Sequence, residues 1–312
     1  MKRYLSLGYW SILVCILLCL PLSGVAADDA EMGAVPVGAD LASKVWVVRH
    51  PYVPSDTVYA ERSRHFIDLL ELVMSKSGVS YVLEAVAVPP VPSSRNMLFL
   101  NSGKYDVGWM HADAERERQL LPIRVPIYRG IGGWRLGFIL AGKEKKYAQI
   151  KTLEQLQQLT LGQGHDWPDT DILRNAGFEV REGVSRDSVF HLLRYRRVDM
   201  FPRGVNEIWD ELALPDAHGL EIENTIAIHY PTAFYFFVGH DNHDLAALLR
   251  RGFDTAIADG SFQKLFLLYF GEPIKKARLD QRRIFELSNP TLSPETPLER
   301  PELWYRIGEP LP

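Results

Sequence analysis

From Lys44 onward, short β-rich runs alternate with helical patterns, and this rhythm restricts the fold more than any other feature of the chain. Lys44 to Val48 reads as a buried strand, ended by Arg49-His50-Pro51. Phe66, Leu69, Leu70 and Val73 then recur at spacings of three and four until Gly78, which is a helix pattern and a stop signal. Tyr81 to Val86 is the next strand, Ser93 or Ser94 can cap a short helix closed by Gly103, and Tyr105 to Met110 is a third strand. A strand–helix–strand–helix–strand order specifies a parallel α/β sheet. The rhythm continues through strands at Leu136–Leu140, Leu159–Leu161, Phe178–Val180 and Val198–Phe201. Thr152 with Gln155 and Ser185 mark helix starts between them, and a further helix begins near Trp167-Pro168-Asp169. An apolar strand at Ala233–Val238 then leads into two helices separated at Gly260. The last 27 residues contain prolines 290, 294, 297, 301, 310 and 312 and cannot form one helix.

The first residues have a different character. Lys2 and Arg3 precede an apolar stretch from Ile12 to Leu22, and small residues lead to Ala27, the three-part pattern of a cleaved export signal. The expected organisation is a signal peptide at 1–27 and a weakly patterned lead-in at 28–43. Both cysteines, Cys15 and Cys19, lie in the first segment. The remaining 285 residues carry 33 basic and 39 acidic side chains, a net of −6. Such a chain has no disulfide framework, no thiolate zinc site and no cysteine nucleophile. An acidic balance without a basic run also argues against nucleic-acid binding. The expected compartment is the periplasm.

The order of elements resembles that of the bacterial type II periplasmic solute-binding proteins, in particular extracellular solute-binding family 3, the polar amino-acid branch. Three stretches carry the resemblance, over about residues 44–272. The first is Tyr105-Asp106-Val107-Gly108-Trp109-Met110 followed by Asp113-Ala114-Glu115-Arg116 and Pro126-Ile127-Tyr128. The second is Arg197-Val198-Asp199-Met200, and the third runs from Phe236 to Phe270 through Asp259-Gly260. One subgroup of the family looks more similar still, in Gly162 to Asp169, in Phe201-Pro202-Arg203-Gly204, and in the proline-rich tail. The resemblance implies an α/β fold of two lobes, each a mainly parallel sheet flanked by helices, joined by two crossovers. Lobe 1 would be 44–130 and 233–285, lobe 2 would be 131–232, and 286–312 a tail. A ligand would sit between the lobes, which close around it by a hinge motion.

On this resemblance Arg116 grips a ligand carboxylate, a task suited to the two-pronged guanidinium. His111 and Trp109 end the third strand in the loop that supplies ligand contacts. Gly164, His165, Asp166 and Trp167 lead into a helix whose start favours an anion. Arg49, at the end of the first strand, and Arg95, at the entry to the second helix, are further candidates for ligand contact. Arg203 marks a departure: the family places an ammonium-pairing carboxylate five residues after the strand aspartate, and Asp199 plus five is Gly204. A ligand with a second anionic group, or an uncharged polar one, then becomes more plausible.

No cofactor motif and no metal site is expected; His240 and His243 are read as part of a helix-capping loop. The expected function is capture of a small polar, carboxylate-bearing solute, without turnover, by a monomer that serves an ABC permease or a membrane sensor. Two rivals remain. One is an adaptor whose cleft is vestigial or filled by the tail. The other is a cleft enzyme resembling cyclohexadienyl dehydratase.

Overall fold

The computed structural model describes residues 44–54, 57–89 and 93–311. The export signal at 1–27 and the lead-in at 28–43 lie outside the described residues, as do the side chains of Ser93 and Ser94. The alternating pattern produces, in chain order, β1 (Trp46–Tyr52), α1 (Thr57–Ser75), β2 (Tyr81–Ala87), α2 (Ser93–Asn101), β3 (Val107–His111), α3 (Ala114–Gln119) and β4 (Leu120–Ile123). The chain then crosses to β5 (Trp134–Leu140), α4 (Glu144–Ala148), α5 (Leu153–Leu156), β6 (Thr160–Gly164), α6 (Pro168–Asn175), β7 (Glu179–Gly183), α7 (Arg186–Arg194), β8 (Phe201–Gly204), α8 (Ile208–Leu212), β9 (Leu220–Ile222) and β10 (Ile226–His229). It crosses back to β11 (Phe234–Gly239), α9 (His243–Ala258) and α10 (Ser261–Ala277), and β12 (Arg283–Glu286) follows.

Strands β1 and β2 pair in parallel, from Trp46 opposite Tyr81 to Tyr52 opposite Ala87. The returning strand β11 lies antiparallel between β3 and β4. Beyond the crossings, β12-β10-β5-β8 form one sheet with β9 also on β5, and β6 and β7 form a parallel pair bridged to it at Leu161 and Met200. Two of the expected helix starts have full capping boxes, Thr152 with Gln155 and Ser185 with Ser188.

β1 runs past Arg49-His50-Pro51 instead of stopping there. Pro51 has no N–H to give, but residues of its parity turn away from β2: the Arg49 carbonyl accepts from the Asp106 N–H, whereas Tyr52 O accepts from Val88 N. The missing donor therefore removes no bond from the β1–β2 ladder.

The helical stripe of α1 is buried as its spacing requires. Phe66, Leu69, Leu70 and Val73 pack with Phe236, Val238, Leu249 and Phe253 in one core. A second core holds Leu136, Phe138, Phe190, Leu193 and Phe201, and a third Ile139, Leu161, Ile172 and Met200. Each fully buried Leu or Phe contributes roughly 1.5–3 kcal/mol over leaving it exposed. Helix α10 belongs to both sides: Phe262 lies in the first core and Phe266, Phe270 and Ile274 in the second.

Candidate functional site

The loop after β3 turns into a short helix capped by Asp113, whose Oδ1 accepts the Arg116 N–H at 2.8 Å. The same carboxylate pairs with the Arg116 guanidinium, which also donates to the His111 carbonyl at 3.2 Å. These contacts aim the Arg116 side chain, 17% exposed, and leave its buried Nε without a partner. Across from it, β6 ends at Gly164, and α6 begins with Trp167 at the N-cap and Pro168 in the first turn. One cavity of about 500 Å³ is lined by Arg116 and Arg118 on one wall and by His165, Asp166, Trp167 and Asp171 on the other, with Thr291 of the C-terminal segment completing it. The structure thus brings together Arg116, His165, Asp166 and Trp167, from elements about fifty residues apart in the chain.

The remaining candidates lie elsewhere. Trp109 is 6% exposed and belongs to the core around Phe66. His111 is half-buried at the end of β3, edge-on to Phe234 at 4.9 Å, and meets the cavity wall only through the carbonyl that holds Arg116. Burial pushes its pKa down, and Arg135 and Arg116 push the same way against Asp169 and Glu207. Gly164 lies beneath Trp167, and Arg49 is paired bidentately with Asp106 at 2.7 and 2.9 Å. Arg95 is exposed on α2. Arg49 and Arg95 are not among the residues lining the cavity.

Arg203 is buried behind the cavity. Its guanidinium lies 4.4 Å from the Trp167 ring centroid, makes a two-pronged contact with Glu211 at 2.6 and 2.7 Å, and pairs with Glu207 at 2.7 Å. Burial opposes its charge, but the two carboxylates hold it firmly protonated. The absence of an aspartate at position 204 has a steric reason. A Cβ on Gly204 would lie 2.5 Å from Asn206 Oδ1 and 3.3 Å from the Gly132 carbonyl oxygen, so a side chain there would have to displace Asn206 and press on the Gly132 backbone.

Beside this pair lies a second buried one that sequence reasoning missed. Arg135 pairs with Asp169, and the Tyr230 hydroxyl donates to the same carboxylate. Burial would raise the pKa of Asp169, but Arg135, His111 and Arg203 hold it below the usual carboxylate range. Asp169 was visible as a first-turn acid of α6; its partners lie 34 and 61 residues away and carry no local signal. On the cavity wall, His165 is exposed and pairs with Glu182, whose hydrogen bond raises the imidazole pKa. Among the described residues, no group of three or more His, Cys, Asp or Glu side chains is arranged to hold a metal, and His240 pairs with Asp241 at 3.0 Å.

This arrangement of sheets and crossings recurs in solved structures. An ancestral arginine-binding protein bound to glutamine superposes with a TM-score of 0.51 at 19% identity, over 72% of this chain and 98% of that one. A protein described as a binding component of an ABC transporter from Wolinella succinogenes, complexed with lysine, gives 0.53 at 16% identity, over 72% and 95%. A double mutant of the VFT2 domain of Bordetella pertussis BvgS gives 0.54 at 15% identity, over 72% and 93%. The chain has the two-lobed type II periplasmic-binding-protein fold. No protein-family model matches it, and no curated protein does.

Proposed function

We propose that this protein captures a small polar solute bearing a carboxylate, in the cavity between Arg116 and the β6–α6 turn, without chemical turnover. The observation that carries this reading is the convergence of two walls on one cavity, one with a positioned guanidinium and the other with a helix start, His165 and Trp167. Asp113, Glu115, Asp166 and Asp171 also line the cavity against Arg116 and Arg118, so a dianion is disfavoured. A zwitterion, with its carboxylate on Arg116 and its ammonium toward Asp166 or Asp171, fits the wall charges better. The similar structures that hold glutamine and lysine support an amino-acid-like solute.

In this reading lobe 1 comprises 44–130 and 233–285, with Arg283–Glu286 pairing across to the sheet of lobe 2, which comprises 131–232. The chain acts in the periplasm as a monomer and passes its ligand, or the news of it, to an ABC permease or a membrane sensor. Among the described residues, no helix is long and apolar enough to cross a membrane. An adaptor function with a tail-filled cleft is the second reading, and Pro290 and Thr291 at the cavity edge are the observation that favours it.

A thermal-shift screen of protein unfolded and refolded to strip bound solute separates the two. A ligand at 100 times its Kd adds about 2.7 kcal/mol, roughly 5–11 °C at about 2–4 °C per kcal/mol for a chain of this size. The expected result is a shift with amino acids or related zwitterions that Arg116→Ala abolishes while near-UV circular dichroism is kept. Silence across amino acids, dicarboxylates, keto acids, sugars and polyamines would sink the capture reading and favour the adaptor.

A further inference from the structure

The segment after β12 does more than border the cavity. Residues 287–311 touch both places where the chain passes between the lobes. At the first, the Tyr305 N–H donates to the Arg129 carbonyl at 2.7 Å. The Arg129 side chain, buried, reaches back into the segment: it grips Glu309 with two bonds of 2.8 and 3.1 Å and donates to the carbonyls of Glu302 and Trp304 at 3.3 and 3.2 Å. Arg129 holds a left-handed backbone, φ 47°, a conformation that is costly for a side chain of this size. Such a residue persists where its surroundings over-determine it. At the second crossing, Leu287 N donates to His229 O at 2.7 Å and Asn289 Nδ2 to Pro231 O at 2.9 Å.

The segment is also part of both cores. Leu303 is fully buried in the core of Phe66 and Phe236, and Tyr305, two residues on, is buried in the core of Phe138 and Phe201. Trp304 between them packs on the first of these cores and donates to Pro297 O at 2.8 Å. Arg124, before the first crossing, pairs with Glu295 at 2.6 Å. A hinge motion needs a few crossover residues free to change φ and ψ. Here those residues are tied, by backbone hydrogen bonds and a buried ion pair, to one segment whose adjacent side chains are anchored in opposite lobes.

We propose that residues 287–311 are a hinge clamp that holds the two lobes in one arrangement until the segment undocks. For solute capture this deepens the reading above and rests on it: the Thr291 carbonyl accepts the Ala114 N–H at 3.3 Å, in the helix of Arg116, so the clamp and the cavity share a wall. Opening of the cavity is then gated by release of the clamp.

The test is a distance between spin labels on Leu98→Cys and Val184→Cys, both exposed and on opposite lobes, with Cys15 and Cys19 replaced by serine. The expected result for the otherwise intact chain is one narrow distance distribution. Glu309→Gln, which keeps the shape and removes the charge, and Trp304→Ala are each expected to broaden it or add a second population. An intact chain that already shows two populations, or folded Glu309→Gln and Trp304→Ala proteins with the unaltered narrow distribution, would overturn the clamp. The distance is read without ligand, so a failed solute screen sinks the binding reading and leaves this result to stand or fall alone.

Discussion

At the scale of single residues, His65 of α1 is packed among aromatic rings. It is 2% exposed, neither ring nitrogen has a hydrogen-bond partner, and the rings of Tyr128, Tyr269 and Phe270 surround it with centroids 4.8–5.7 Å away. Burial pushes its pKa down to about 3. The folded pKa lies below the unfolded value of about 6.5, so the fold holds the neutral ring. The stability tied to that neutrality is complete above about pH 6.5 and is lost as pH falls toward 3, at roughly 1.4 kcal/mol per pH unit. His65→Phe should flatten this acid limb and, by removing unsatisfied polar atoms, add about 1–3 kcal/mol at pH 7. Denaturant titrations at pH 7, 5 and 4 would check it; an unchanged pH dependence in the variant would show that another group sets the acid limb. Arg116 shows what was legible at this scale. Its spacing after Asp113 marked it as a helix-start arginine, and the cap and ion pair between the two are local contacts. Arg203 shows the limit: its identity was visible beside the gap at Gly204, but whether it faced solute or Glu211 depended on α8 folding back over β8.

At the scale of elements, the β6–α6 turn is the part most sensitive to change. A Cβ on Gly164 would stand 2.4 Å from the ring atoms Cδ2 and Cε2 of Trp167. Gly164→Ala must therefore displace the indole, and with it the stacked Arg203 guanidinium. We expect a loss of about 1–3 kcal/mol, the usual range for overpacking, with an altered tryptophan emission spectrum and weaker solute binding. Unaltered emission and stability would mean that the turn can relax, and that Trp167 is not held where the cavity needs it. The elements themselves were largely readable because their signals are local: α1 from its apolar spacing, α5 and α7 from their capping boxes, α9 and α10 from the break at Gly260. Their ends were less so. The run at Lys44–Val48 extends to Tyr52 as β1, because Pro51 turns its missing donor away from the ladder with β2.

For the whole molecule, the described residues, from Lys44 onward, belong to one compact unit. A docked clamp protects its amides until it undocks. The Leu303 and Tyr305 amides, bonded to the Arg300 and Arg129 carbonyls, should then exchange hydrogen far more slowly than those of a surface loop. We expect protection of at least about a thousandfold, equivalent to about 4 kcal/mol of opening free energy. Exchange at the rate of a surface loop would mean that residues 287–311 dock too weakly to restrain the lobes.

Taken alone, the sequence determined the alternation of strands and helices, the positions of most caps and stops, and the chemical types available to a site. These are properties of residues within one or two turns of each other, where period and capping act directly. Tertiary structure decided which of the candidates meet. The pairing of Arg135 with Asp169, of Tyr230 with Asp169 and of Arg129 with Glu309 spans 34, 61 and 180 residues. A guanidinium carries the same charge on a surface, in a cavity or in a buried pair. Its role is set by the dielectric and the partners that packing supplies, and packing brings those partners from anywhere in the chain.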